Sequence, residues 1–217
     1  MQENRPFQIV IIDDDLQFIT KPLYEELVDI YGQNNIIWKE TPEEGLTYLE
    51  SNLTKRTIVI LDYYFGQHNR YNGLDWFQPL QDKSKLLYII LNTSHEIDII
   101  PREQLKYCIN NHLMSLVDKT DGYTKTLSEV EKAIGYLNNR VDCILEEWIL
   151  RHEFFTREKP YMKDSTGNII SLNDVLREIR QDTDFGRKMS SKIISTAISL
   201  LQRDIDKIDS KNTQNNG

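Results

Sequence analysis

Five short runs of apolar residues, separated by segments with helical periodicity, constrain the fold of the first 120 residues more than any other feature. Such alternation is typical of βαβ units whose parallel strands are buried on both faces. The runs are Phe7–Ile12, Ile36–Trp38, Thr57–Leu61, Leu86–Leu91 and Leu113–Val117. We therefore predict a doubly wound α/β domain with a five-stranded parallel sheet and right-handed crossovers.

Two of the segments between these runs, Leu16–Tyr31 and Pro42–Asn52, have the apolar spacing of an amphipathic helix. The second also carries a helix start signal. Thr41 is a preferred N-cap residue, Pro42 suits the first helical position, and Glu44 stands three residues after the cap. These segments are predicted to be crossover helices.

The clearest periodic signal of the chain begins at Thr126. Its apolar residues alternate spacings of three and four, which is the heptad pattern of pairing helices. They are Leu127, Val130, Ile134, Leu137, Val141, Ile144 and Trp148. We predict that the α/β domain spans residues 1–137 and ends in this helix, with Leu127–Leu137 packed on the sheet and Val141–Trp148 facing a partner helix. Residues 138–157 are predicted to continue it as an extended signalling helix, with a homodimer formed through residues 127–148.

The rest of the chain, residues 158–210, is predicted to be a small and mainly helical output or dimerisation region. A turn at Asp164–Gly167 lies between two short extended segments and indicates a hairpin. Ser171 is predicted to cap a helix, and Gly186 to separate that helix from a last one with a broad apolar face. Residues 211–217 are predicted to form a disordered tail.

Composition and charge exclude several classes of function. The formal net charge is -8, with -10 on residues 1–150 and +2 on residues 151–217, so the first part is too acidic to favour nucleic acid as its main partner. The two cysteines lack the spacing of a disulfide scaffold or a zinc site, which favours a cytoplasmic protein. The first apolar run is short and ends in three aspartates, so neither export nor membrane insertion is predicted.

Polar side chains follow four of the predicted strands, at the point where each strand ends. In an open parallel sheet, ligands bind in the crevice beyond the carboxyl ends of the strands, so these side chains should lie close together. Singly, each could be an N-cap, a turn residue or a surface charge, but their combination favours a site. They are Asp13, Asp14, Asp15, Asp62, Asn92, Thr93, Ser94, Asp118 and Lys119.

The chemistry of this set indicates phosphoryl transfer to a carboxylate. Three carboxylates at one sheet edge repel one another unless a cation lies among them, and oxygen ligands select a hard ion such as Mg²⁺ or Mn²⁺. Because Mg²⁺ usually takes only one or two carboxylates, Asp62 could also act as a nucleophile. The Lys119 ammonium and the Thr93 hydroxyl would bind the phosphoryl oxygens and stabilise an in-line transfer.

In these motifs the sequence resembles the receiver domains of two-component response regulators. The resemblance covers about residues 6–137 and rests on Ile9–Asp15, Ile58–Asp62, Asn72–Trp76, the Thr93–Ser94 pair and Val117–Lys119. It implies a flavodoxin-like receiver fold and a phosphoryl donor that is a histidine kinase or a phosphotransfer protein. The sequence shows no motif of a separate catalytic output domain. Enzymatic activity would thus be at most self-phosphorylation and autodephosphorylation at Asp62.

The resemblance also implies how the metal is held. Asp13 and Asp14 correspond to the acidic pair of the family, with Asp14 the direct metal ligand and Asp13 acting mostly through water. Asp62 corresponds to the phosphoacceptor, which is also a metal ligand. The backbone carbonyl of Tyr64 corresponds to the third protein ligand.

Thr93 and Lys119 correspond to the switch hydroxyl and the phosphate-binding lysine of the family, but the surrounding sequence departs from the family pattern. The glycine that follows the acceptor is Gly73, three residues later than usual, which implies an insertion beside the site. Lys119 is followed by Thr120 instead of proline, so the usual cis peptide is not expected. Leu116 stands where the family has its switch aromatic residue. Relay of the signal is therefore expected to be unusual.

Tyr64 and His95 stand two residues after Asp62 and Thr93, respectively. By the resemblance, both positions flank the path of a water molecule that attacks the phosphorylated aspartate. We therefore expect the bulky Tyr64 side chain to slow loss of the phosphoryl group.

Two output functions stay open for the residues after 137. In the first, the heptad residues and the last helix form a module for dimerisation or for docking a protein effector. In the second, a helix-turn-helix at about 171–208 binds DNA, with Arg187, Lys188 and Lys192 on phosphates. The first is favoured, because the last helix is long, apolar over a wide arc and acidic near its end, unlike a recognition helix.

Overall fold

The computed structural model describes residues 7–15, 21–52, 55–66, 72–93, 100–110, 113–163, 167–181 and 183–214. The chain divides into two compact units, residues 1–150 and residues 151–217.

The first unit contains the five-stranded parallel sheet that the apolar runs predict. The strands are β1 (Phe7–Ile12), β2 (Ile36–Lys39), β3 (Arg56–Asp62), β4 (Leu87–Thr93) and β5 (Ser115–Asp118). Their order in the sheet is β2-β1-β3-β4-β5, and every adjacent pair is parallel. This order is that of the flavodoxin-like doubly wound fold, so the predicted fold class is confirmed.

Helices cover both faces of the sheet and bury it in two apolar cores. They are α1 (Lys21–Tyr31), α2 (Pro42–Asn52), α3 (Gly73–Gln81), α4 (Arg102–Asn110), α5 (Tyr123–Asn139) and α6 (Val141–Leu150). Side chains from α1, α5 and α6 join one core, and side chains from α2, α3 and α4 join the other. Burial on both faces explains why the strands read as continuous apolar runs.

The single helix predicted from Thr126 is two helices in the structure. The first of these, α5, ends at Asn139. Arg140 has an extended backbone, and α6 begins at Val141. Several heptad residues pack within the first unit: Val130 and Leu137 are buried, and Leu127 and Ile134 pack against the same core. Of the later heptad positions, Ile144 and Trp148 are exposed.

Buried polar contacts attach α6 to the edge of the sheet where strands β3 and β4 begin. The Arg56 guanidinium forms an ion pair with Glu147, with 3.0 Å between Nη2 and Oε2, and also contacts Asn138. Glu146 accepts hydrogen bonds from the Ser84 hydroxyl at 2.5 Å and from a backbone N–H at 3.0 Å. Periodicity could not predict these contacts, because they join residues far apart in the chain. As a result, the compact unit extends to residue 150 and not to 137.

The second unit contains the predicted hairpin and two further helices. Its elements are α7 (Phe154–Arg157), β6 (Pro160–Lys163), β7 (Ile169–Ser171), α8 (Leu172–Arg180) and α9 (Asp184–Gln214). β6 and β7 are antiparallel, as predicted. Ser171 caps α8: its hydroxyl accepts a hydrogen bond from Asp174 N–H, and the Asp174 carboxylate accepts one from Ser171 N–H.

The boundaries of α9 differ from the prediction at both ends. Gly186 does not precede the helix but lies in its first turn, where a Cβ atom would be 2.4 Å from the Glu178 carbonyl oxygen. At the other end, α9 continues to Gln214, into the segment predicted as a tail. Of the described helices, none is both long and apolar enough to cross a membrane.

Candidate active site

The predicted site residues meet at the carboxyl edge of the parallel sheet. Asp13 and Asp14 follow β1, Asp62 ends β3, and Lys119 follows β5. Side chains of Asp13 and Asp62 are buried, whereas Asp14 is exposed. Carboxylate oxygens of the three aspartates all lie within 4.8 Å of one another. The structure therefore brings together three of the predicted carboxylates at a distance that suits a shared cation.

Lys119 crosses the sheet edge and bridges two of these carboxylates. Its Nζ lies 2.7 Å from Asp13 Oδ2 and 2.9 Å from Asp62 Oδ1, and its side chain is 7% exposed. Burial alone would lower the pKa of Lys119, but the charges of Asp62 and Asp13 outweigh burial and raise it. Lys119 is therefore a fixed positive charge beside Asp62.

The two oxygens of the Asp62 carboxylate have different surroundings. Oδ1 accepts the Lys119 contact and a hydrogen bond of 2.9 Å from the Tyr63 backbone N–H. Within the described parts of the chain, Oδ2 accepts no hydrogen bond. One oxygen is thus held in place, and the other is available as a nucleophile or a metal ligand.

Burial makes the carboxylates of this site costly to ionise. It raises the pKa of Asp62 to about 7, an effect that Lys119 partly offsets and that Asp13 and Asp14 add to. Burial and the neighbouring charge of Asp13 also raise the pKa of Asp14. A divalent cation would offset this cost, because its positive charge favours the ionised carboxylates and reduces their mutual repulsion.

The donor set fits Mg²⁺ or Mn²⁺. All ligand atoms offered by Asp13, Asp14 and Asp62 are carboxylate oxygens, which are the ligands that these hard cations prefer. Of the three, Asp13 has protein partners on both of its carboxylate oxygens. Its Oδ1 accepts the Asp15 N–H at 2.9 Å and its Oδ2 contacts Lys119.

Two glycines permit the close approach of backbone to this site. A Cβ atom on Gly73 would lie 2.0 Å from the carbonyl oxygen of Asp62, so the first turn of α3 can pass there only without a side chain. Gly66 has a left-handed backbone with φ of 43°, and a Cβ there would lie 3.0 Å from Asp14 Oδ2. The glycine that the resemblance places after the acceptor is therefore explained by contact with the acceptor's own backbone.

Two residues beside the site were not assigned a role from the sequence. The Trp38 indole N–H donates a hydrogen bond of 2.8 Å to the backbone carbonyl of Asp13. Asn92 is paired with Asp62 in the register of β3 and β4, and its buried Oδ1 has no hydrogen-bond partner in the described structure. The sequence indicates that Asn92 lies near the site, because it stands at a strand end. No sequence feature predicts the contact of Trp38 with Asp13, because Trp38 approaches from a neighbouring strand.

The remaining predicted residues lie around this centre. Thr93 is fully buried at the end of β4, next to Asn92. Tyr64 is exposed and forms an isolated antiparallel bridge with Asn72. Its proposed contact with a metal through the backbone carbonyl stays a prediction. Ser94 and His95 lie outside the described residues.

The departures from the family pattern at β5 can be located in the structure. The Lys119–Thr120 peptide is trans, as expected from the missing proline. Thr120 donates from both its N–H and its hydroxyl to Asp118 Oδ1, at 2.8 and 2.7 Å. Leu116, at the position of the switch aromatic, packs against the core that α2, α3 and α4 share.

Comparison with known proteins gives structural likenesses only. No protein-family model and no curated protein matches the chain. The structure is similar to the signal receiver domain of a Luxo repressor protein from Vibrio parahaemolyticus, with 17% identity, a TM-score of 0.47, and coverage of 68% of this chain and 99% of that chain. It is also similar to a CheY-like response regulator receiver domain protein from Methanospirillum hungatei JF-1, with 17% identity, a TM-score of 0.45, and coverage of 59% and 94%.

The response regulator domain of Thermotoga maritima CheB is a third likeness, with 14% identity, a TM-score of 0.43, and coverage of 60% of this chain and 98% of that chain. These identities and scores are low, so the assignment of the fold rests on the strand order of the sheet. By that order, the chain combines a flavodoxin-like fold with a mainly helical C-terminal region.

Proposed function

We propose that this protein is a cytoplasmic two-component response regulator that accepts a phosphoryl group on Asp62. The donor is a histidine kinase or a phosphotransfer protein. Asp13, Asp14 and Asp62, with the backbone carbonyl of Tyr64, would hold Mg²⁺ or Mn²⁺. Thr93 and Lys119 would bind the oxygens of the transferred group. The strand order and the clustering of the three carboxylates support this proposal.

The observation that carries the proposal is the asymmetry of the Asp62 carboxylate. Lys119 and the Tyr63 N–H hold Oδ1, while Oδ2 accepts no hydrogen bond within the described residues. In the transfer, the P–O bond to Asp62 forms as the P–N bond of a phosphohistidine breaks, and the electron pair of that bond stays on the imidazole nitrogen. Lys119 is positioned to stabilise the negative charge on the phosphoryl oxygens.

The residues of this site have different proposed roles. Asp14 is the exposed member of the acidic cluster and suits direct ligation, whereas both oxygens of Asp13 already have protein partners. When bound, the cation supplies positive charge that offsets the repulsion between Asp62 and an incoming phosphoryl group. The Trp38 hydrogen bond to the Asp13 carbonyl helps to fix the backbone that carries both acidic residues.

The output of the protein is proposed to be helical dimerisation or docking of a protein effector. Long exposed apolar side chains on α9 support this proposal. DNA binding through α8 and α9 is the alternative. Exposed Arg187, Lys188 and Lys192 near the start of α9 would be its phosphate contacts. A mobility-shift assay with random duplex DNA at low salt separates the two, because phosphate contacts alone would give binding there.

Phosphorylation can be tested on the full chain with a small acyl phosphate and Mg²⁺. We expect the intact mass to rise by one phosphoryl group, and alkaline hydroxylamine to remove it, as expected for an acyl phosphate. Asp62→Asn should gain none. Asp15→Asn is the matched control, because Asp15 is an exposed neighbouring carboxylate outside the three-residue cluster. No mass gain in the parent protein, or an equal gain in Asp62→Asn, would contradict the proposal.

A further inference from the structure

The longest helix of the chain has an apolar face that the second unit leaves exposed. α9 has 31 residues, which corresponds to a length of roughly 46 Å. Its first turns are close to α8, where Gly186 meets the Glu178 carbonyl. Every residue from Ser191 to Arg203 is exposed. These include Ile194, Ile198 and Leu201, which are 41%, 61% and 65% exposed.

This part of α9 is a poor helix on its own. Residues 191–202 contain several β-branched and serine side chains, which have lower helix propensity than Ala, Leu or Lys. An isolated helical segment of such composition is marginal in water, and proteins usually stabilise it by packing one apolar face. The exposed stretch of α9 therefore needs a partner surface.

The apolar residues are spaced for pairing with another helix. Ile194, Ile198 and Leu201 follow one another at intervals of four and three, and Ile205 and Ile208 continue the series in the sequence. This is a heptad pattern with Ile198 and Ile205 at position a and Ile194, Leu201 and Ile208 at position d. We propose that α9 is the self-association surface of this protein, and that a second copy of α9 covers it in an antiparallel two-helix coiled coil.

The charges of the helix argue for a second copy in antiparallel orientation. In a parallel pair, Asp204 at position g would meet Asp209 at position e of the partner helix, twice. In an antiparallel pair with Ile198 opposite Leu201, Lys188 at position e meets Asp209 of the partner helix, twice. The antiparallel arrangement thus replaces two repulsions by two attractions.

This surface differs from the dimer predicted through residues 127–148. Val130 and Leu137 of that heptad series are buried in the core of the first unit and cannot also contact a partner. Ile194, Ile198 and Leu201 of α9 are instead exposed. The proposal does not depend on phosphorylation of Asp62, so the two can fail separately.

Sedimentation of the full chain without a phosphodonor tests the proposal. We expect a dimer in the micromolar range or below, and Ile198→Lys should weaken association by at least about a hundredfold, because it places two charges in the apolar seam. Leu200→Lys is the matched control, since Leu200 is 54% exposed but lies at position c, outside the seam. It should change the dissociation constant less than about threefold. A monomeric parent protein, a higher oligomer, or an equal effect of Leu200→Lys would overturn the proposal.

Charge reversal tests the orientation. In the antiparallel pair, Lys188→Glu and Asp209→Lys should each weaken association several-fold, and the double variant should restore it. In a parallel pair, Asp209→Lys would remove the repulsion with Asp204 and tighten association, which would overturn the antiparallel arrangement. Circular dichroism of each variant, together with mass gain from the acyl phosphate, shows that the rest of the protein is folded.

Discussion

The Nζ atom of Lys119 lies 2.9 Å from Oδ1 of Asp62, so the proposed phosphoacceptor is paired with a buried ammonium group before any reaction. This pairing does not fully offset burial, because the pKa of Asp62 is still raised to about 7. The balance between these two effects leads to a stability prediction that does not depend on phosphorylation.

Without divalent cations, stability should fall as the pH rises from about 4 to about 7. In this window the folded protein keeps a proton on Asp62 that the unfolded chain, with the ordinary value of 3.8, has lost. The full effect corresponds to at most about 4 kcal/mol above pH 7. Asp62→Asn removes it, and should be about 1–3 kcal/mol more stable than the parent at pH 8 in a chelator, with a smaller difference at pH 5.

Urea unfolding at both pH values measures this difference. Asp29→Asn serves as the control, because Asp29 is exposed on α1, and it should leave stability nearly unchanged at both pH values. An Asp62→Asn variant that is less stable than the parent at pH 8 would contradict the prediction.

Mg²⁺ binding should depend on Asp14 and should be visible through Trp38. Because the Trp38 indole donates to the Asp13 carbonyl, a cation bound beside Asp13 should change its fluorescence. The titration is best done in a Trp76→Phe, Trp148→Phe background. Asp14→Asn should weaken Mg²⁺ binding at least about tenfold, whereas Asp15→Asn should change it little. Equal affinities in the two variants would argue against Asp14 as a ligand.

Gly73→Ala should be strongly destabilising. Its Cβ would lie 2.0 Å from the Asp62 carbonyl oxygen, which is backbone and cannot move without displacing the acceptor. We expect a loss of about 2–4 kcal/mol in the free energy of unfolding. Gly135→Ala is the matched control in α5, where a Cβ meets nothing within 4 Å, and it should stabilise by about 0.5–1 kcal/mol. Thermal unfolding compares the two; a tolerated Gly73→Ala would refute the close approach.

Removing the partner of Arg56 should loosen α6. Glu147→Gln leaves the buried guanidinium with a neutral partner and should cost about 3 kcal/mol. Glu131→Gln, on the exposed side of α5, should change stability by less than about 0.5 kcal/mol. Amide hydrogen exchange in residues 141–150 should be faster in Glu147→Gln than in the parent protein, and these residues should be affected before the rest of the first unit. Exchange in α6 that matches the parent would mean that this ion pair does not hold the helix.

Tyr64→Asn should shorten the lifetime of phosphorylated Asp62. The exposed Tyr64 side chain stands two residues after the acceptor and is expected to shield it from water. The decay of the phosphorylated species after removal of the donor measures this, with Tyr107→Asn, another exposed tyrosine, as the control. A lifetime of Tyr64→Asn longer than that of the parent would exclude the shielding role.

Periodicity in the sequence predicted the elements of the first unit well. The runs that became β1 and β3, and the segment Pro42–Asn52, were recognisable because both their periodicity and their boundaries are local properties of the chain. The gathering of Asp13, Asp14, Asp62 and Lys119 could also be predicted, because the carboxyl ends of parallel strands share one edge of a sheet.

Tertiary structure decided what local patterns leave open. Val130 and Leu137 of the heptad series pack on the sheet, as expected for the last helix of the α/β domain. Heptad spacing is the same against a partner helix or the protein's own core, so only the fold shows that the packing continues beyond Leu137 to Cys143 and Leu150. The attachment of α6 through Arg56 and Glu147 depends on residues 91 positions apart, which periodicity does not relate. Sequence alone thus determined which strands form and which chemistry they present, because both follow from near neighbours in the chain. Tertiary structure alone decided which apolar faces are buried and which, like that of α9, are exposed.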